Sequence, residues 1–394
     1  MILGSIKALS RRVLIQFFQR PTDYIFYSSS CSDKLAVLLY KVVNPKKAHF
    51  HSNNQEVICW VDSLKQEGYN VLVINRGCQK VPEEILSKFA HVSLLIGIDA
   101  VRSGRHYEYF LKELKPKASI LILTTQAPKV WNSEISRRVS RNPCYLRLLS
   151  RGLLTDAEIA CFERVATSVN LIALPGNAVD SKSYLQSLGV GCDLIFDLNW
   201  STLNAVTRID HLRKNPPEIS MVCGHDAYLK GLDIAIELAT KLPYKLHLMT
   251  PNKDLALKLI HRSGVGEKVI CHGYVPMNHP RFSRILSQCS YFLALSATEG
   301  MPTSALHCLK AGLIPISTTS SHLPQTGIGI YDLEVNTNDL SNASSRIRTY
   351  IDSKDLESLD ESSKQLVEYI SKNHTIANYR NQVLNLIRLS SVHF

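Results

Sequence analysis

The chain lacks any apolar run of the roughly 18 residues that a membrane-spanning helix needs. Its best apolar runs, VSLLIGI (92–98) and SILILTT (119–125), have strand length. It also lacks a GxxxxGK[ST] loop, a GxGxxG after a strand, an HExxH helix and a GxSxG elbow. Those absences set aside a P-loop site, a nicotinamide dinucleotide site, a zincin and an elbow-type hydrolase. There is no dense Asp/His cluster, and none of the ten cysteines stands in CxxC spacing, so no metal is expected. Unpaired cysteines scattered through 394 residues read as buried small hydrophobes in a reducing, cytoplasmic compartment. In that compartment the sequons at Asn199, Asn342 and Asn373 carry no weight. Aromatic residues seldom interleave with the basic stretches, which argues against a nucleic-acid surface.

What is there suits a folded protein. Hydrophobic residues make up 45% and charged residues 20%, and the length suggests two domains. Lys+Arg 45 against Asp+Glu 34 leaves a net charge of +11, which suits anionic lipid or phosphorylated substrates. Two stretches concentrate this charge. Residues 1–20 carry Lys7, Arg11, Arg12 and Arg20 without an acid, among Ile2, Leu3, Ile6, Leu9, Val13, Leu14, Phe17 and Phe18. They read equally as an amphipathic helix on an anionic membrane surface or as a helix packed on its own domain. They lack the long apolar core and small-residue cleavage site of a secretory signal. Residues 129–151 carry Lys129, Arg137, Arg138, Arg141, Arg147 and Arg151 against Glu134, and form a second candidate surface for anionic lipid.

Apolar runs of strand length alternate with helical periods along most of the chain. KAHFHS reads as a strand, residues 54–67 as a helix capped by Asn53, and NVLVIN (70–75) as the next strand. Strands follow at 92–98, 119–125 and 168–176, with helices at 103–115, 131–141 and 155–166. HLRKNPPEIS (211–220), with its proline pair, reads as a hinge. The alternation then restarts, with strands at 219–224, 244–250, 267–273, 290–296 and 313–318. Helices are expected at 231–241, 253–263, 278–288 and 303–311, and the tail from 337 is mostly helical. The pattern predicts two α/β domains with Rossmann-like parallel sheets facing a cleft. The expected division is 1–44 as a basic segment, 45–212 as the first domain, 213–375 as the second, and 376–394 as a helix returning to the first. Ligands of such sheets bind beyond the carboxyl ends of the strands, so the strand-end loops are the place to look for chemistry.

Two loops stand out. In MVCGHDAYLKGLD (221–233) a strand ends at Gly224, His225 follows, and Lys230–Gly231 opens a helix, which suits an anionic group. A plain surface loop with a solvated lysine is the alternative. In SATEGMPTSALHCLKAGLIP (296–315), Glu299 and Gly300 lie between a strand end and a helix starting at Thr303–Ser304. A carboxylate there can accept hydrogen bonds from sugar hydroxyls while the helix start faces a diphosphate; the alternative is a carboxylate stabilised by the helix dipole.

Together with CHGYVP (271–276), these segments resemble the second domain of the GT-B fold glycosyltransferases of the retaining, group 1 (family 4-like) kind. The resemblance covers about residues 219–320; HFHSNNQEVICWVDSLKQEGYNVLVI (49–74), TTQAPKVWNSEISRR (124–138) and PGNAVDSKSY (175–184) are more loosely similar to the first domain. It implies that a nucleoside diphosphate sugar is the donor and a glycan or lipid-linked hydroxyl the acceptor, with no metal or other cofactor. Hexosyl transfer in cell-surface polysaccharide synthesis, at the inner face of the plasma membrane, is the implied setting. By the resemblance Lys230 binds donor phosphate, Glu299 contacts the donor sugar and is the catalytic residue, and Gly300 to Ser304 face the diphosphate. Gly224, His225, Gly273 and His307 complete the implied donor site. Two positions depart from the family: His225 stands where arginine is common, and His307 where a second glutamate binds the ribose. They keep open a non-catalytic binding protein, and a nucleotide-sugar epimerase on the same fold is a further alternative. Gln126 stands where the family often has histidine; His49, His51 and His106 are other candidates for that role.

Overall fold

The computed structural model describes residues 24–29, 32–40, 52–75, 83–98, 100–140, 153–202, 206, 208, 216–333, 335 and 340–392. The basic segment 1–20, the KAHFH part of the expected first strand, His49, His51 and hinge residues 211–215 lie outside them.

The first domain runs β1 (Tyr24–Tyr27), β2 (Leu35–Tyr40), α1 (Ser52–Gln66), β3 (Asn70–Asn75), α2 (Glu83–Leu86), β4 (Leu94–Ile98), α3 (Ala100–Leu114), β5 (Ala118–Ile122), α4 (Pro128–Ser140), α5 (Asp156–Ala166), β6 (Leu171–Leu174), α6 (Val179–Ser187) and β7 (Ile195–Asp197). The seven strands lie in the order β1-β3-β2-β4-β5-β6-β7. Every pairing is parallel except β1 with β3. β2 (LAVLLY), β4 and β5 are buried at every position, as expected of strands covered on both faces. The sheet therefore extends into residues assigned from sequence to the basic 1–44 segment. The alternation there was hidden because LAVLLY, a run with no polar residue, is a strand buried on both sides. Helix α1 begins at Ser52, ahead of the Asn53 expected to cap it. α5 begins on a capping box: the Glu158 N–H donates to Thr155 Oγ1, and the Thr155 N–H donates to the Glu158 carboxylate.

The second domain runs β8 (Ile219–Val222), α7 (Leu232–Lys241), β9 (Leu246–Met249), α8 (Lys253–Ser263), β10 (Val269–Gly273), α9 (Pro280–Leu286), β11 (Tyr291–Ala294), α10 (Thr303–Lys310) and β12 (Ile314–Ser317). Helices α11 (Leu340–Asp352), α12 (Leu356–Asn373) and α13 (Ile376–Val392) follow. Its five strands are all parallel, in the order β10-β9-β8-β11-β12. The winding direction reverses between β8 and β11, and a crevice opens beyond their carboxyl ends.

Helix α13 crosses back onto α1 of the first domain. Trp60 Nε1 donates to Tyr379 Oη at 3.1 Å, both rings being buried, and Arg388 pairs with Glu67 at 2.8 Å. Burial in α1 raises the Glu56 carboxyl to about 8. Among the described residues, no helix is long and apolar enough to cross a membrane.

Candidate active site

β8 and β11 end side by side and carry the two loops singled out by sequence. After β8, the Asn252 amide of α8 donates to the carbonyls of Gly224 (3.1 Å) and His225 (2.8 Å), which holds the turn open. His225 is exposed at the rim. The chain then turns back through a bond from the Lys230 N–H to the Asp226 carbonyl at 3.0 Å. Gly231 has φ 75°, and a Cβ there would lie 2.5 Å from the Leu295 carbonyl oxygen. A residue without a side chain is therefore what lets the two loops touch. The contact is sealed by the Ala297 N–H donating to the Leu229 carbonyl at 2.7 Å.

This contact brings Lys230 and Glu299 together, and the Lys230 ammonium donates to Glu299 Oε1. Burial pulls the Lys230 pKa down to about 8. Cys223 and Asp226 nearby oppose that shift. Beside the pair a small cleft is walled by Lys230, Ser296, Pro302 and Ser304 over an apolar floor that includes Met221 and Cys308. Helix α10 opens onto this cleft with Pro302 as its N-cap residue and no side-chain cap, so its first turn presents positive dipole to whatever enters. A cation, a helix start and a hydroxyl thus line the cleft, with the Glu299 carboxylate on the cation.

The other expected residues fall differently. Gly273 ends β10, two strands from β8, with the Thr250 N–H on its carbonyl and the Lys253 side chain beside it. His307 is fully buried inside α10; its Nδ1 sits 2.5 Å from the Thr303 carbonyl, and desolvation lowers its pKa to about 4. It is a neutral ring packed within its own helix, and it does not line the cleft beside Lys230. His106 is half-buried on α3, edge-on to Phe110.

Two residues of the first domain reach the Glu299 loop. Gln126, after β5, donates to the Glu299 carbonyl at 2.9 Å, and Arg138 of α4 donates to the carbonyls of Leu295 (2.9 Å) and Ser296 (3.0 Å). Arg138, expected from sequence on a lipid-facing surface, is buried between the domains; Arg137 is exposed, and Arg141, Arg147 and Arg151 lie outside the described residues. Nothing in the spacing of SRRVSR separates the two arginines except the α4 helical phase, which turns residue 138 inward with Glu134 and Ile135.

Residues 206–372 match the family model described as glycosyl transferases group 1. The fold of the whole chain is similar to that of sucrose-phosphate synthase from Thermosynechococcus elongatus, with a TM-score of 0.68 at 12% identity over 92% of this chain and 100% of that one. It is also similar to Anabaena Alr3699/HepE in complex with UDP and glucose (TM-score 0.59, 11% identity, 90% and 99% covered). A third similar fold is WaaG, described as a glycosyltransferase involved in lipopolysaccharide biosynthesis (0.58, 14%, 89% and 98%). A search of curated protein sequences finds no match. The chain thus has the GT-B architecture of two Rossmann-like domains.

Proposed function

We propose that the protein transfers a hexosyl group from a nucleoside diphosphate sugar to an acceptor hydroxyl, with retention of configuration and without a metal. The observation that carries this reading is the Lys230–Glu299 ion pair at the mouth of the crevice beside the start of α10. Without a donor the two charges satisfy each other. With one, the ammonium turns to the diphosphate and the carboxylate to the sugar hydroxyls. Lys230, the α10 N-terminus and the Ser304 hydroxyl then stabilise the negative charge that builds on the departing diphosphate. The bonds that break are the anomeric carbon to diphosphate oxygen bond and the acceptor O–H; the bond that forms joins the anomeric carbon to the acceptor oxygen, and the acceptor proton passes to the departing diphosphate. Residues 213–375 carry the donor and residues 45–212 the acceptor. HepE was solved with UDP-glucose, which makes the uridine nucleotides the first donors to try.

Glycan or lipid-linked acceptors of cell-surface polysaccharide synthesis, at the inner face of the plasma membrane, fit the basic chain. Sedimentation with vesicles containing or lacking anionic lipid tests that setting, and equal negligible binding to both would remove it. The donor assignment is tested by a thermal-shift panel of UDP, GDP, dTDP, CDP and their sugars on wild type and Lys230→Ala. Ligand at about 100 times its Kd stabilises by roughly 2.7 kcal/mol, a shift of several degrees. A shift with one base, lost in Lys230→Ala, is expected. The buried His307 favours a second reading, a GT-B binding protein without catalysis, since its ring does not line the cleft where a ribose-binding glutamate is common. Absence of a shift with every nucleotide would favour that reading.

A further inference from the structure

The loop that carries Glu299 is gripped from both domains. On its own side it leans on the Lys230 loop through Gly231 and the Ala297–Leu229 bond. Thr318 Oγ1 donates to the Ser296 carbonyl at 2.9 Å, and the Ser296 N–H donates to Ser321 Oγ at 3.1 Å. From across the cleft come Arg138, on the carbonyls of Leu295 and Ser296, and Gln126, on the carbonyl of Glu299 itself. Gln126 is in turn oriented: its Oε1 accepts from Ser181 Oγ at 2.5 Å, and Ser181 Oγ accepts from the Ala127 N–H at 2.8 Å. Gln126 and Ser181 are fully buried and Arg138 is 6% exposed, so these bonds are shielded from water. Buried donors matched to buried carbonyls are costly to leave unmade, so the set forms or breaks with the contact between the domains.

We infer that Arg138 and Gln126 are positioning residues that set the Glu299 carboxylate through its loop carbonyls, and that they do so only when the two domains are closed. Neither side chain lines the donor cleft. The donor can therefore bind the second domain while the domains are apart, and the carboxylate is aligned at closure. Closure brings the acceptor domain and the catalytic geometry together in one step, so a donor bound in the open form is guarded against water. This rests on the proposed donor site, while the effect on domain closure does not.

The test uses the full chain, with Arg138→Leu, Gln126→Leu and the double variant. Small-angle scattering of each protein without nucleotide reads closure directly, and the double variant is expected to have the larger radius of gyration. An unchanged radius overturns the inference whatever the donor proves to be. UDP-glucose, or whichever sugar of the thermal-shift panel binds, is then used as the probe. UDP release at saturating donor is expected to fall about tenfold or more, with the nucleotide Kd within about twofold of wild type. Arg138→Lys, which keeps a donor for one carbonyl, is expected to recover part of the loss in both closure and turnover. Wild-type turnover in the double variant, or a proportional loss of nucleotide affinity, would overturn the positioning role. A wild-type protein that binds no nucleotide would count against the function while leaving the scattering result to judge closure.

Discussion

Gly300→Ala probes the seam between the domains with a single methyl group. The Cβ it adds would lie 2.2 Å from the Thr124 carbonyl oxygen, 2.8 Å from the Thr124 carbonyl carbon and 2.9 Å from the Thr125 Cα. All three are backbone atoms at the end of β5, in the other domain, so no rotamer change relieves the clash. Gly300 is not among the residues with positive φ, so alanine is not strained locally. Each domain can keep its own core, and the clash is relieved by separating the domains. Overpacking of this kind costs about 1–3 kcal/mol. Charged to the closed form alone, that lowers the closed-to-open equilibrium constant by about 5- to 150-fold, and turnover falls by up to that factor where the open form predominates. The donor cleft walls belong to the second domain, so nucleotide affinity should stay within about twofold. Calorimetry for nucleotide binding, UDP release at saturating donor and a thermal melt separate the effects. Turnover within twofold of wild type would refute the reasoning, as would a melting temperature that falls as far as for a core cavity.

Glu299→Gln keeps the shape of the side chain but removes the charge that faces Lys230 and, in the proposed function, the donor sugar; turnover should drop at least about tenfold with the fold intact by circular dichroism, and an active variant would remove Glu299 from the mechanism. His307, held near pKa 4 by burial, stays neutral in the folded chain while the unfolded chain binds a proton below about 6.5. Its burial therefore costs stability as pH falls from 6.5 to 4, by about 3 kcal/mol at the end of that window. Melts of His307→Gln against wild type should show the variant losing less over that range, and parallel curves would contradict it. Glu56 works in the opposite sense, because a carboxyl raised from 4.5 to about 8 has its full stability below pH 4.5 and loses it as pH climbs to 8. That loss is on the order of 5 kcal/mol as an upper bound. Glu56→Gln should therefore gain on wild type steadily between pH 5 and pH 8, as read by denaturant unfolding at each pH.

Much of this architecture is local and so is written in the sequence. Strands such as NVLVIN and LIPIS, and helices such as the Thr155–Glu158 capped α5, follow from period, caps and glycine stops that act over a few residues. The two loops carrying Lys230 and Glu299 are equally legible, since a strand end, a glycine and a helix start suffice to present a charge at a crevice. β2 escaped because a strand buried on both faces loses its alternation, and periodicity then says nothing about it.

Long-range decisions are of another kind. Sequence supplies Lys230 and Glu299 sixty-nine positions apart; only the parallel neighbouring of β8 and β11 makes them an ion pair. Arg137 and Arg138 are the same residue type one step apart, and the helical phase of α4 against the second domain sends one to solvent and the other to the Glu299 loop. His307 sits where the family resemblance implies a ribose-binding glutamate, yet burial within α10 makes it a neutral packing residue. The composition of each loop was determined by the sequence alone. Which charges meet, and which are removed from water, was decided by the tertiary structure, because pairing and desolvation depend on neighbours that no local pattern encodes.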